Sequence, residues 1–202
     1  MKQRFARWLL RLLGWHIEGI RPEHPRFVLI AAPHTSNWDL PLMLAFAAAF
    51  DLKISWMAKH SLFFPPMGWV LRAMGGMPIV RHENRNVVDE MVDTLQSAQA
   101  LILVVPTEGT RERAQYWKSG FYHIARRAEV PIVPSFLDFS KKRGGFGPAL
   151  LPTGSLSQDM QYFRDFYQGM EGKFPGQFGP FSSRKKIDLP NNSARGTPMH
   201  SS

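Results

Sequence analysis

Apolar positions along the chain fall into two rhythms. Near the amino end, Phe5, Trp8, Leu9, Leu12 and Leu13 recur at i, i+3, i+4, i+7 and i+8, the spacing of one helical face. Arg4, Arg7 and Arg11 share a second face and Gly14 closes the pattern, as a C-capping glycine does. Beyond it, short apolar runs with strand character alternate with helical periods. Strands are predicted over 27–32, 53–57, 77–81, 101–105 and 131–137, with a further one at 149–151. Helices are predicted over 39–50, 68–74, 84–97, 120–127 and 156–168. Pro41 suits the first turn of its helix. Val87, Val88, Met91, Val92 and Leu95 mark the inner face of the 84–97 helix. The stretch 61–67, with two phenylalanines and two prolines, reads as a loop.

Strands alternating with helices specify an α/β fold: a single domain with a largely parallel or mixed central sheet flanked by helices. The expected division is an amphipathic helix over 1–14, the folded domain over 15–168 and a tail over 169–202. In the tail the apolar period fades and Gly, Pro, Ser and Asn accumulate, which reads as a mobile segment.

Composition narrows the class. Of the 202 residues 44% are hydrophobic and 20% charged, enough to bury a core. The net charge of +9 favours a polyanionic partner: nucleic acid, anionic lipid or a phosphorylated small molecule. No basic stripe interleaved with aromatics points to nucleic acid. With no cysteine, thiol nucleophiles, disulfides and cysteine-ligated zinc are excluded. No apolar run reaches the roughly 18–20 residues of a membrane span. Arg7 and Arg11 interrupt the first apolar stretch and no small-x-small cleavage pattern follows, so it reads as a retained helix rather than a signal peptide. Aromatic and aliphatic residues beside arginines suit a lipid headgroup boundary, although most such helices pack on their own core.

Four segments carry candidate chemistry. Pro33-His34-Thr35-Ser36-Asn37-Trp38-Asp39 follows the 27–32 strand. On a continuous helix the side chains of His34 and Asp39 would diverge by about 140°, so they meet only if the backbone turns between them. A strand-loop-helix transition supplies that turn. A carboxylate fixing one imidazole nitrogen then leaves the other to accept a proton. Taken alone, such a spacing is more often a helix cap beside a loop histidine. Pro106-Thr107-Glu108-Gly109-Thr110-Arg111 follows the 101–105 strand, at the strand end where α/β proteins place ligands. Gly109 permits close backbone approach and Arg111 offers a planar fork for phosphate; a polar turn with Glu108 and Arg111 paired to each other fits equally well. Gly76 to Arg81 puts an arginine at a strand end, and Val130-Pro131-Ile132-Val133-Pro134 is a strand bounded by prolines.

In this order the four blocks resemble the glycerolipid acyltransferase family, which includes 1-acylglycerol-3-phosphate acyltransferases. The family blocks are His-x4-Asp, Gly-x4-Arg, Glu-Gly-Thr-Arg and Val-Pro-x-x-Pro, and the resemblance spans about residues 27–136. The chain departs from it in two places. Pro33 stands where the family usually has Asn, and Pro106-Thr107 where it has Phe-Pro.

The resemblance implies transfer of a fatty acyl group from acyl-CoA or acyl carrier protein to the hydroxyl of a lysophospholipid, 1-acylglycerol-3-phosphate being the first choice. His34 is then the catalytic base and Asp39 its partner. Arg81, Glu108, Gly109, Thr110 and Arg111 bind the acceptor. No metal or other cofactor is expected. Lys118 reads as solvated, while Phe63 and Phe64 are candidates for an acyl groove. Amphiphilic substrates imply peripheral attachment to an anionic membrane surface, expected to be the cytoplasmic face, through the first helix. An acyl-ester hydrolase, an acyltransferase for glycerol-3-phosphate or a lyso-aminolipid, and a non-catalytic lipid-binding module are the alternatives.

Overall fold

The structure, a computed structural model, describes residues 1–79, 87–107 and 117–177. Seven strands form one sheet: β1 (His16–Gly19), β2 (Arg26–Ala31), β3 (Ile54–Lys59), β4 (Gly76–Ile79), β5 (Leu101–Pro106), β6 (Ile132–Asp138) and β7 (Arg143–Phe146). Their order is β1-β7-β6-β2-β5-β3-β4. The neighbours from β6 through β4 are parallel, whereas β7 runs antiparallel to β6 and parallel to β1. The mixed sheet matches the expected class.

Two short strands, β1 and β7, escape the apolar pattern because HIEG and RGGF contain few apolar residues. The strand expected at 149–151 is instead a single antiparallel bridge between Leu150 and Ile132. The helices are α1 (Lys2–Leu12), α2 (Asp39–Ala49), α3 (Met67–Ala73), α4 (Val87–Ser97), α5 (Gly120–Ala128) and α6 (Leu156–Tyr167).

The central strands are buried on both faces, and their side chains alternate between two cores. Val28, Ile30, Leu103, Val105 and Ile132 meet α4, α5 and α6 through Met91, Phe121 and Phe163. Phe27, Leu29, Val104 and Val133 meet α2 through Ala47 and Phe50. After Asp39, α2 contains no polar residue. A helix apolar all round needs cover on more than one side. The sheet covers one side and α1 another, through Ala6 and Leu10 packed near Phe46 and Ala49.

That docking leaves the predicted apolar stripe of α1 uncovered, unlike the common amphipathic helix that packs this face on its own core. The apolar stripe predicted to be its working face points outward: Phe5, Trp8, Leu12 and Leu13 are 61%, 56%, 67% and 49% exposed. The helix packs instead through Ala6 and Leu10, which lie between the stripe and the arginines. Arg7 is committed to the body. Its Nε and the Gln3 Nε2 donate to the Ala49 carbonyl oxygen at 3.0 and 3.1 Å, satisfying the negative end of α2.

The folded part also extends past the expected boundary at residue 169. Residues 169–177 turn back onto the body, with the Phe139 N–H donating to the Glu171 carbonyl oxygen at 2.9 Å and Pro175–Gln177 forming a short 3-10 turn. Residues 178–202 lie outside the described residues.

Candidate active site

The β2 strand ends at Ala31 and α2 begins at Asp39. The seven residues between them reverse the chain, and this turn brings together the two side chains that a helix would separate. His34 Nδ1 lies 3.2 Å from Asp39 Oδ2. The same oxygen accepts the backbone N–H groups of Thr35 and Ser36, each at 2.8 Å. Ser36 Oγ accepts the Trp38 N–H at 3.1 Å. Asp39 is therefore no ordinary helix cap. Its carboxylate reaches back across the turn, ties the loop to the helix and holds the imidazole with one oxygen. Its position in the first turn of α2 also sets the negative charge against the positive end of the helix dipole. Oδ1 is buried and finds no hydrogen-bond partner among the described residues.

With Nδ1 turned to the carboxylate, Nε2 is the proton-accepting nitrogen of the neutral ring. His34 is 23% exposed at its side chain and Asp39 7%: the histidine reaches the surface while its partner stays behind it.

His34, Ser36, Asn37, Asp39, Lys59 and Ser135 contribute the polar lining of a cavity of about 520 Å³. The rest of its wall is mostly apolar, with Met43 and Phe46 from α2, Trp56 and Met57 from β3, Val104 from β5, and Leu137 and Phe146 from β6 and β7. Polar groups at one site on an otherwise apolar cavity suit a ligand with one reactive end and a hydrocarbon body. Phe63 and Phe64, expected as groove residues, do not line it. Phe64 is exposed and Phe63 lies under the Arg72 guanidinium, 5.2 Å from its ring centroid. Leu62 takes a place in the lining instead.

The lining residues drawn from α2, β3 and β7 were missed in the sequence because each looks like ordinary core. Apolar spacing records burial, but it does not distinguish a wall facing atoms from a wall facing an empty volume.

Ser135 backs the site. Its Oγ donates to the Ile30 carbonyl oxygen at 2.6 Å, and its own carbonyl accepts the Tyr167 hydroxyl at 2.8 Å. Burial pushes the Tyr167 phenol well above its ordinary pKa, against the lowering effect of its bond to the Ser135 backbone. It remains a neutral donor tying α6 to β6. Of the 130–134 block, residues 132–134 lie in this strand, with Pro134 opposite Ile30.

Arg81, Glu108, Gly109, Thr110 and Arg111 lie outside the described residues. The strands preceding them are described: β4 ends at Ile79 and β5 at Pro106. Both are parallel to their neighbours, with Pro106 in register with Ala31 and Ile79 with Lys59. They therefore end on the sheet edge that carries the His34 loop. Lys118 is exposed, as expected, and its N–H donates to the Thr107 carbonyl oxygen at 2.8 Å.

Fold and site together define an α/β protein with a His–Asp pair at the carboxyl edge of its sheet and an apolar cavity beside it. The chain belongs to the Acyltransferase family, whose pattern matches residues 4–138. It is 29% identical over 128 residues to the chloroplastic 1-acyl-sn-glycerol-3-phosphate acyltransferase BAT2 of Brassica napus, covering 60% of this chain and 34% of that protein. It is 27% identical over 148 residues to the chloroplastic 1-acyl-sn-glycerol-3-phosphate acyltransferase LPAT1 of Arabidopsis thaliana, covering 69% and 38%. The matched region thus spans about a third of the length of these relatives. The solved structure of the 1-acyl-sn-glycerophosphate (LPA) acyltransferase PlsC from Thermotoga maritima shares the fold. It aligns with a TM-score of 0.58 at 18% identity, over 81% of this chain and 73% of that one.

Proposed function

We propose that this chain transfers a fatty acyl group from a thioester, acyl-CoA or acyl carrier protein, to the hydroxyl of a lysophospholipid, with 1-acylglycerol-3-phosphate as the preferred acceptor. The observation that carries this reading is the His34–Asp39 pair, 3.2 Å apart, at an apolar cavity of about 520 Å³. The names of the plant relatives support the choice of acceptor.

An alcohol becomes a competent nucleophile as a base removes its proton in the transition state. His34 Nε2 takes the hydroxyl proton while the alcohol oxygen attacks the thioester carbonyl. Asp39 steadies the imidazolium that forms. The tetrahedral intermediate then collapses, the carbon–sulfur bond breaks, and the imidazolium returns the proton to the departing thiolate. Products are the ester and the free thiol. With no cysteine and no Gly-x-Ser-x-Gly motif in the chain, the attack is direct, without an acyl-enzyme. Arg81 and Arg111 hold the acceptor phosphate, and Glu108 orients them or the glycerol. The hydrocarbon chain occupies the space between α2, β3 and β7.

Both substrates are amphiphiles, so the protein works at an anionic membrane surface, at its cytoplasmic face, as a peripheral enzyme. The outward apolar stripe of α1, flanked by Arg4 and Arg11, supports attachment there. No helix among the described residues is long and apolar enough to cross a membrane.

The test is a panel of lyso-acceptors and glycerol-3-phosphate offered with both donor types, read by mass spectrometry. The expected result is a new diacyl product whose formation falls by about 10²–10⁴ in His34→Ala. Wild-type transfer by His34→Ala would overturn the mechanism. Free fatty acid formed without acceptor would assign a hydrolase instead.

A further inference from the structure

Beyond α6 the chain returns to the sheet edge that carries His34. Gly169 turns it with φ +74°. The chain is then fastened to the connection between β6 and β7. The Phe139 N–H donates to the Glu171 carbonyl oxygen, and the Asp138 carboxylate takes a backbone hydrogen bond from Glu171. From this anchor it crosses the His34 loop. Gly172 is buried against Thr35. A Cβ at Gly172 would stand 2.6 Å from Thr35 Oγ1, 2.8 Å from its Cγ2 and 3.1 Å from Pro33 Cβ. The Phe174 N–H donates to Thr35 Oγ1 at 3.2 Å. The Lys173 ammonium stands over the Trp38 ring, 5.1 Å from its centroid. Residues 169–174 therefore grip the loop at Pro33, Thr35 and Trp38.

Thr35 is the sensitive point. Its own N–H and that of Ser36 are the two backbone donors on Asp39 Oδ2, the oxygen that faces His34 Nδ1. We propose that residues 169–174 form a positioning strap for the His34–Asp39 pair. Gly172 and the Phe174 N–H set Thr35, the N–H groups of Thr35 and Ser36 set Oδ2, and Oδ2 sets the imidazole. Gly172 and Thr35 are positioning residues, and neither is assigned contact with substrate. The strap lies wholly beyond the family-matched residues 4–138. The inference rests on the reading of His34 as the base.

Relieving the contacts of an added Cβ to an ordinary 3.4 Å requires Thr35 or the strap to recede by about 0.6–0.8 Å. Misplacing a reacting group by about 1 Å can lower a rate by about 10². The experiment uses the full chain with Gly172→Ala, Thr35→Ala and the double variant. Steady-state acyl transfer is combined with imidazole NMR of the low-field Nδ1–H proton of His34. Gly172→Ala is expected to lower kcat by about 10- to 100-fold with KM moved by less than about 3-fold. In the Thr35→Ala background the same change should lower kcat by less than about 3-fold, since the two closest atoms, Thr35 Oγ1 and Cγ2, are gone and only Pro33 Cβ at 3.1 Å remains near. The Nδ1–H signal should weaken in Gly172→Ala, a change that lost stability alone would not cause in the folded fraction.

A kcat for Gly172→Ala within about 3-fold of wild type, an equal loss in both backgrounds, or an unchanged Nδ1–H signal would each overturn the strap. If Gly172→Ala does not fold, Thr35→Val keeps the shape and removes the acceptor of the Phe174 N–H. It should lower kcat by about 3- to 10-fold, and an unchanged kcat overturns the proposal. Activity in His34→Ala overturns the base and the strap together. An inactive His34→Ala beside a normal Gly172→Ala overturns the strap alone.

Discussion

Replacing Asp39 by asparagine separates the charge of this residue from its shape. Three donors converge on Oδ2: the His34 ring and the N–H groups of Thr35 and Ser36. The amide oxygen will take that place, which leaves the loop tied down and sends the NH2 group to the Oδ1 position. That position has no hydrogen-bond partner among the described residues, so a buried amide is left unsatisfied there, destabilising the fold by about 1–3 kcal/mol. For a chain of this size the melting temperature should fall by about 2–12 °C.

The catalytic effect is separate. At 3.2 Å, and with an effective dielectric constant of about 20, a carboxylate and an imidazolium attract by about 5 kcal/mol. A neutral carbonyl acceptor keeps about half of a charge-assisted bond. The transition state thus loses about 2–3 kcal/mol, or about 30- to 150-fold in kcat. Because the imidazolium forms only as the proton moves, KM should stay near its wild-type value. The assay is initial-rate acyl transfer in mixed vesicles over a range of acceptor concentrations, with thermal unfolding of the same preparation. Asp39→Ala serves as the contrast. It strips the acceptor from two buried backbone N–H groups and should melt lower than Asp39→Asn. A kcat for Asp39→Asn within about 3-fold of wild type, or a loss confined to KM, would refute the assigned role of the charge.

Other perturbations probe the remaining elements. Trp8→Asp with Leu12→Asp should abolish co-sedimentation with anionic vesicles while changing stability by less than about 1 kcal/mol, since both side chains are more than half exposed; full binding by the double variant would rule out α1 as the anchor. Leu10→Ala, by contrast, removes a fully buried contact and should destabilise by about 2–5 kcal/mol in denaturant titrations. Met43→Trp extends a side chain into the cavity and should lower kcat/KM for long acyl donors about 10-fold more than for short ones. Equal losses at every chain length would mean that the acyl chain lies elsewhere. Burial raises the pKa of Asp138, but hydrogen bonds from Ser140, Arg143 and the backbone of Lys141 and Glu171 outweigh it, and its pKa lies below the ordinary carboxylate value. Its stabilisation is therefore complete above about pH 4 and is lost as pH falls through the lowered folded value. Asp138→Asn should flatten this acid limb in unfolding curves, and a slope equal to wild type would contradict the linkage.

Much of this protein is readable from the order of its residues. The near-continuous apolar runs at 27–32, 101–105 and 131–137 dictate buried strands, because a strand covered on both faces must be apolar on both. The helical period of 84–97 dictates which side of that segment meets the sheet. The four motif blocks, taken in order, carry the family. His34 and Asp39 could be named because their block stands in order with the other three; alone, the spacing reads as a helix cap beside a loop histidine.

Other features depend on contacts between distant segments, and a local pattern cannot encode them. The outward turn of α1 follows from Ala6 and Leu10 fitting against Phe46 and Ala49, a choice made by the shape of α2. The cavity exists because α2, β3 and β7 stand apart where their side chains do not fill the space between them. Gly172 sits in a stretch whose composition suggests a loose tail, yet it lies against Thr35, 137 positions earlier, because the route of α6 returns the chain to that loop. Local periodicity records whether a side chain is covered. What covers it, and whether that contact steadies a reacting group, is decided only when the whole chain is packed.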